Sequence, residues 1–143
     1  MSLFKVMDIA GTAMSAQSVR LNTVASNLAN ADSISSSANQ TYKARKPVFA
    51  TMLEEAQTAS SSTMNGAAGV KIAGIMESVA PALKEYSPNH PLADENGYIY
   101  RPNVNVVEEM ADMMSASRSY QTNVQIAEVA KTLLSLTLRM GKN

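Results

Sequence analysis

The chain has 143 residues, 12 basic and 12 acidic side chains, a formal net charge of zero and no cysteine. A zero net charge provides no field that would gather nucleic acid or an anionic membrane surface. The lack of cysteine excludes disulfides and thiolate metal sites. A chain of this length forms one domain of ordinary size or two small modules with separate cores.

The amino-terminal sequence lacks the pattern of a cleaved secretory signal. Such a signal has a continuous apolar run after its basic start, whereas Lys5 is followed at once by Asp8 and Gly11. No stretch approaches the length of about 18 consecutive apolar residues that predicts a membrane span. We therefore expect a soluble chain, or one that is exported without cleavage.

Proline and glycine divide the chain into two helical ends and a non-helical middle. All five prolines lie between residues 47 and 102, residues 12–65 contain no glycine, and residues 103–140 contain neither residue type. Because both residues interrupt helices, the two ends are free to form long ones. At about 1.5 Å per residue, we expect helices of about 40 to 55 Å.

Each predicted helix carries a mainly apolar stripe at alternating steps of three and four residues, the spacing of a coiled-coil seam. The amino-terminal stripe is Leu3, Met7, Ala10, Met14, Gln17, Leu21, Val24, Leu28 and Ala31. The carboxyl-terminal stripe is Val106, Met110, Met113, Ser117, Tyr120, Val124, Ala127, Lys131, Leu134 and Leu138. We predict that residues 1–33 and 104–143 pair as a coiled coil.

The middle of the chain predicts a small β module. Residues 60–69 have the small, flexible composition of a linker, and we assign 34–65 as a connecting region. Within it, residues 42–49 are expected to be extended, and 52–57 to form a helical turn or two. Residues 66–103 form the predicted β module, in which Asn96 and Gly97 are a two-residue hairpin signal. The predicted fold is mainly α, with a β-rich middle.

The composition of both helices indicates assembly with other subunits. In the carboxyl-terminal helix, apolar residues occupy nearly every side, more than one partner helix covers. The amino-terminal helix has many uncharged polar residues, which suit packing against neighbours. An ordinary helical hairpin with a mild surface is the alternative. The predicted subunit-packing residues are Leu3, Met7, Met14, Leu21, Val24, Leu28, Val106, Met110, Met113, Tyr120, Val124, Leu133, Leu134 and Leu138.

The sequence predicts no catalytic residue, cofactor or metal site. His90, the only histidine, lies in a proline-fixed loop with Asp94 and Glu95, where we expect it to shape the loop. The one basic cluster, residues 43–46, has too few charges for nucleic acid at physiological salt. The acidic residues at 108, 109 and 112 suit the positive end of a helix dipole.

Two stretches of the chain resemble the flagellar rod and hook axial proteins. The first is LNTVASNLANADS at residues 21–33, followed by YKARKPVF from Tyr42. The second is YSPNHPLADENGYIYRPNVNVVEEMADMMSASRSYQTN at residues 86–123. The residues that carry the resemblance are Asn27, Leu28, Ala29, Asn30, His90, Pro91, Gly97, Tyr98, Pro102, Asn103 and Val104.

This resemblance implies a structural subunit of the proximal rod of the flagellar basal body. It implies uncleaved export by the flagellar type III apparatus and assembly across the periplasm. It places both termini in an inner coiled-coil layer called D0. The partners it implies are further copies of the chain, the rod proteins FliE, FlgB, FlgF and FlgG, and surrounding ring proteins as further candidates. The rod serves as drive shaft and export conduit.

Two other classes of function remain open from the residues alone. One is a helical-hairpin adaptor that binds a single partner helix in a groove. The other is a small hydrolase that uses His90. The adaptor is distinguished by forming a small defined complex, and the hydrolase by losing activity on His90→Ala.

Overall fold

The computed structural model describes residues 3–52 and 69–141. Within these residues, two long helices precede and follow four strands along the chain, in the order α1 (Leu3–Ala29), β1 (Arg45–Met52), β2 (Gly69–Glu77), β3 (Leu83–Tyr86), β4 (Tyr98–Arg101) and α2 (Val106–Met140). The fold is mainly helical with a small β part, which confirms the predicted fold class. The predicted helical turn at 52–57 and the linker at 60–69 lie outside the described residues, except that Met52 ends β1 and Gly69 begins β2.

The two helices lie side by side and run in opposite directions. Arg20 of α1 contacts Asp112 of α2, while Leu3 lies beside Leu133 near the other end of the pair. The buried apolar residues of the two helices are mostly alanines, which allow close packing. They are Ala10, Ala16 and Val24 on α1, and Ala116 and Ala130 on α2.

A local cap fixes the start of α2. The side-chain oxygen of Asn105 accepts hydrogen bonds from the backbone N–H groups of Val107 and Glu108. This is the expected role of an asparagine before the first helical turn, where the N–H groups have no partner within the helix. Two acidic residues in that turn suit the positive end of the helix dipole.

The first hairpin packs against α1. β1 and β2 are antiparallel, with Arg45 opposite Glu77 and Met52 opposite Gly69, and an irregularity between Val48 and Phe49. Both strands contact α1, and a Cβ on Gly69 would lie 2.6 Å from Oγ1 of Thr12. Since no larger residue fits that gap without a shift, glycine permits the close approach of β2 to the helix. The pairing joins a strand from residues 34–65 to one from residues 66–103.

The second hairpin has a longer connection than the two-residue turn predicted at Asn96 and Gly97, so that prediction was wrong. β3 and β4 pair with Tyr86 opposite Tyr98, so residues 87–97 all belong to the connection. Gly97 does adopt a positive φ of 78°, but it closes a wider loop whose shape depends on Asp94. The backbone N–H of Gly97 donates to the carbonyl of Asp94 at 2.9 Å. Side-chain and backbone bonds to one aspartate therefore outweigh the local preference of the asparagine–glycine pair.

Candidate assembly surfaces

Asn27, one of the residues that carry the family resemblance, is buried where α1 meets the start of β1. Its side chain is 0% exposed. Nδ2 donates to the carbonyl of Arg45 at 2.8 Å, and Oδ1 accepts from the N–H of Arg45 at 2.9 Å and from the hydroxyl of Tyr42 at 2.8 Å. All its principal hydrogen-bonding groups are satisfied, as a buried amide requires. Asn27 therefore fixes β1 to the helix pair.

Asn103 performs a similar role just before α2. Its Oδ1 accepts from the backbone N–H of Ala44 at 2.9 Å, and its Nδ2 donates to the carbonyl of Ala80 at 2.7 Å. The backbone N–H of Ser78 donates to Ala44 at 2.7 Å in the same place. One side chain thus joins the segments before β1, after β2 and before α2.

The loop between β3 and β4 is organised by Asp94. Its Oδ1 accepts from the backbone N–H groups of Tyr98 at 2.8 Å and Asn96 at 2.9 Å, and its Oδ2 accepts from the hydroxyl of Tyr100 at 3.2 Å. The bond from Tyr98 is the main cause that holds the pKa of Asp94 below its ordinary value of 3.8, against an opposing effect of desolvation. These interactions use the carboxylate to hold a loop together.

His90 has a structural contact in the same loop. Its Nδ1 accepts from the backbone N–H of Leu92 at 3.1 Å, and the backbone N–H of His90 donates to Ser87 at 3.1 Å. Within residues 3–52 and 69–141, no group of three or more His, Cys, Asp or Glu side chains is placed to hold a metal ion. The geometry of His90 is that of a loop residue.

Ion pairs surround the junction of α1, β1 and α2. Arg20 pairs with Asp112 at 2.6 Å, and Lys46 pairs with Glu108 at 2.8 Å. The hydrogen bond from Lys46 to Glu108 is the main cause that raises the pKa of the Lys46 amine above 10.5. Lys46 of the basic cluster thus faces an acidic residue of α2, and Arg45 pairs with Glu77 of β2 at 3.1 Å.

The far half of the helix pair exposes a large apolar surface. Val129, Leu136 and Leu138 are 60%, 49% and 69% exposed. A groove of about 280 Å³ lies between the helices and is lined by Leu3 and Val6 of α1 and by Thr122, Gln125, Ile126, Val129, Ala130 and Leu133 of α2. Contiguous exposed apolar surface of this kind is typical of an interaction site.

Comparison with known proteins decides which family shares this architecture. Residues 7–33 match the family described as "Flagella basal body rod protein", and residues 95–140 match "Flagellar basal body rod FlgEFG protein C-terminal". The chain is 46% identical over 142 residues to the flagellar basal-body rod protein FlgC of Salmonella typhimurium, covering 99% of this chain and 100% of the relative. The chain belongs to the FlgC family of flagellar basal-body rod proteins. FlgC of Escherichia coli O157:H7 is also 46% identical, and that of Buchnera aphidicola subsp. Schizaphis graminum is 40% identical over 144 residues, each with 99% of this chain and 100% of the relative covered.

Membership in the FlgC family makes this chain a structural subunit of the flagellar basal-body rod and not an enzyme. Its location is the flagellar basal body, where it associates with other basal-body proteins. Neither of the described helices combines the length and apolar character that a membrane crossing requires.

The structure places the residues that carry the FlgC-family resemblance mostly at internal contacts. Asn27 and Pro102 are fully buried, and Asn103 joins three segments. The half-buried members are Leu28, Asn30, His90, Gly97, Tyr98, Asn103 and Val104, and the exposed members are Ala29 and Pro91. Most of these residues therefore hold the subunit together.

The predicted packing residues fall into two groups. Those on α1 are buried or half-buried, as are three on α2: Leu3, Met7, Met14, Leu21, Val24, Leu28, Met113, Val124 and Leu134. The others are exposed: Val106, Met110, Tyr120, Leu133 and Leu138. The most buried positions of α2 are Glu109, Ala116 and Ala130, each one residue before a member of the predicted stripe. The apolar surface of α2 is broad enough for the helix to pack either on the predicted stripe or on the positions one residue before it. The small alanines at the second set of positions allow closer packing.

Arg20, Asp32 and Arg101 form interactions that the sequence did not indicate. Arg20 contacts Asp112 across the helix pair, and Arg101 pairs with Asp32 at 2.9 Å. The partners are separated by 92 and 69 residues. No local pattern reports such pairs, because they depend on how the elements are aligned in space.

Proposed function

We propose that this FlgC-family subunit takes its place in the proximal rod by helical, head-to-tail stacking of its paired terminal helices. In this proposal residues 1–33 and 104–143 form the inner D0 layer, and the middle of the chain lies further out. Heterologous contacts that do not close into a ring generate filaments of this type. In this proposal the chain is exported uncleaved by the flagellar type III apparatus before it assembles. The assembled subunits cross the periplasm as part of the drive shaft and export conduit.

The observation that carries the proposal is the exposed apolar half of α2. Leu138 and Met140 are 69% and 79% exposed, and Val129 is 60% exposed beside the groove against α1. Burying apolar surface contributes about 25 cal/mol per Å², so a helix of a neighbouring subunit is a favourable occupant. The exposed packing residues on α2 become contacts in the rod under this proposal.

The neighbours proposed for these contacts are further copies of the chain and the rod proteins FliE, FlgB, FlgF and FlgG. The family resemblance supports this set, because axial proteins of the family share paired terminal helices. Surrounding ring proteins are proposed to meet the outer part of the subunit.

The test is complementation of a strain that has become non-motile through loss of its own subunit of this type. Val129→Asp places a charge in the groove, and Gln121→Asp places the same charge on an exposed position of α2 outside the groove. We expect the groove variant to be exported but absent from purified basal bodies, and the control to swim normally. Normal basal bodies with Val129→Asp would contradict the proposed packing surface.

A further inference from the structure

Glu109 is a buried carboxylate whose hydrogen-bonding capacity the subunit does not satisfy. The residue is 3% exposed and lies in the first turns of α2, facing α1 and β1. Within the described part of the chain, its Oε2 atom is buried and has no hydrogen-bond partner. Native proteins pair nearly all buried polar atoms, so this atom requires an explanation.

The basic side chains nearest to Glu109 have other carboxylates as partners. Arg20 donates to Asp112 at 2.6 Å, and Lys46 donates to Glu108 at 2.8 Å. The third, Arg45, donates to Glu77 through Nε at 3.3 Å and Nη2 at 3.1 Å. Among the described residues, each of these three cations therefore donates to a carboxylate other than Glu109, and the charge of Lys46 acts on Glu109 without a hydrogen bond between them.

Glu109 lies at a cleft that opens to the surface. The cleft has a volume of about 290 Å³ and is lined also by Val24, Pro47 and Phe49. Phe49 is 41% exposed, and the Lys46 side chain is 59% exposed. The rim is therefore accessible, while Glu109, which also lines the cleft, has a buried Oε2 atom.

The lining of the cleft suits a long cationic side chain. Lys and Arg carry apolar stems that pack on apolar walls, here Val24, Pro47 and Phe49. Their head groups donate strong, charge-assisted hydrogen bonds to carboxylates, and an aromatic face such as that of Phe49 also attracts a cation. Arg20, Arg45 and Lys46 also line the cleft, but each donates to another carboxylate, so Glu109 is the lining residue that lacks a hydrogen-bonded cation. A purely apolar side chain would leave it so.

We propose that this cleft receives a Lys or Arg side chain of a neighbouring rod subunit, whose head group pairs with Glu109. This inference rests on the proposed function, because it requires a neighbour at this face. It adds a specific polar contact, at the opposite end of the helix pair from the apolar groove. An unpaired carboxylate costs the isolated subunit stability, and the cost is recovered only when the correct neighbour docks.

The first test compares Glu109→Gln with the control Glu128→Gln in the full chain, since Glu128 lies on the same helix and is exposed. Loss of an unsatisfied charge should raise the melting temperature of the isolated subunit by about 2–6 °C. The same change should lower incorporation into basal bodies by about tenfold. The exposed control should move the melting temperature by less than about 2 °C and assemble normally.

The two opposite outcomes overturn the proposal. A lower melting temperature for Glu109→Gln would show that Glu109 pairs inside the subunit, with Arg20 or Lys46. A raised melting temperature with normal incorporation would show that no neighbour uses the carboxylate.

A second test identifies the partner directly. A photoreactive phenylalanine analogue at position 49 is incorporated in cells, and basal bodies are purified after irradiation. We expect a crosslink to a peptide of a neighbouring subunit that contains Lys or Arg. Crosslinks confined to the subunit's own chain would overturn the proposal. If the unaltered chain itself fails to enter basal bodies, the proposed function fails, and this is distinguished from a defect confined to the Glu109 variant.

Discussion

The side chain of Asn27 and the backbone of Arg45 exchange two hydrogen bonds, one in each direction, at 2.8 and 2.9 Å. A neighbouring strand would contact the backbone in a similar way, but here a helix side chain provides both groups. Arg45 is the first residue of β1, so this contact ties the start of the strand to α1. Because Asn27 is fully buried, water cannot replace either bond.

Asn27→Asp is expected to destabilise the subunit strongly. The shape is nearly unchanged, but the donor to the Arg45 carbonyl is replaced by a second oxygen, and a carboxylate is buried without a cation. We expect the free energy of unfolding to fall by about 3–5 kcal/mol. Urea denaturation followed by circular dichroism measures the change.

Asn22→Asp is the matched control, since Asn22 lies on the same helix and is exposed. Its effect should stay within about 0.5 kcal/mol. Equal effects of the two substitutions would mean that a charge on α1 is harmful at any position, and that the contact with Arg45 contributes little.

Substitutions at Gly97 and His90 test whether the β3–β4 loop acts through its backbone shape or through the imidazole of His90. A Cβ on Gly97 would lie 3.0 Å from Cε2 of Tyr86 and 3.1 Å from Cβ of Pro88, at a φ of 78° that β-branched residues avoid. We expect Gly97→Val to cost about 2–4 kcal/mol of stability and to reduce swimming. His90→Gln retains an acceptor for the N–H of Leu92 and should cost less than about 1 kcal/mol.

Gly74→Val provides the control for Gly97→Val, because nothing lies within 4 Å of a Cβ built at Gly74. We expect it to change stability by less than about 1 kcal/mol. Thermal melts of the three variants, together with soft-agar swimming, measure both effects. Loss of motility in His90→Gln with a normal Gly97→Val would indicate a functional site at the histidine.

Much of this fold was predictable from the sequence, because the distribution of proline and glycine and the periodicity of apolar residues act locally. The structure confirms the helical ends and the β-rich middle. The two-residue turn at Asn96 and Gly97 failed because Asp94 makes a competing set of bonds. The unpaired state of Glu109 was not predictable at all. It depends on the ion pairs of Asp112 with Arg20 and of Glu108 with Lys46. Those pairs form only when segments that are distant in the sequence come together.

Acidification should loosen the β3–β4 loop through Asp94. The pKa of this carboxyl is lowered in the folded chain, chiefly by the N–H of Tyr98. A group of this kind contributes stability that is present above its unfolded pKa of 3.8 and is lost as the pH falls through the lower folded value. We expect faster exchange of the Tyr98 amide by NMR as the pH falls below 3.8, after correction for the intrinsic pH dependence of exchange. Asp94→Asn should remove most of this pH dependence, and an unchanged profile would contradict the role of the carboxylate.

Leu138 and Leu134 distinguish the surface used between subunits from the contact within one subunit. Leu138 is 69% exposed, whereas Leu134 is half-buried. Leu138→Asp should therefore change the stability of the isolated subunit by less than about 0.5 kcal/mol yet prevent incorporation into basal bodies. Leu134→Asp should lower the stability by about 1–3 kcal/mol and also prevent incorporation, because its carboxylate is partly desolvated. Denaturation of the purified variants and the subunit content of purified basal bodies are the two measurements. Normal assembly of Leu138→Asp would restrict the packing surface of α2 to the groove beside Val129, whereas equal destabilisation by both variants would mean that the end of α2 is already buried before assembly.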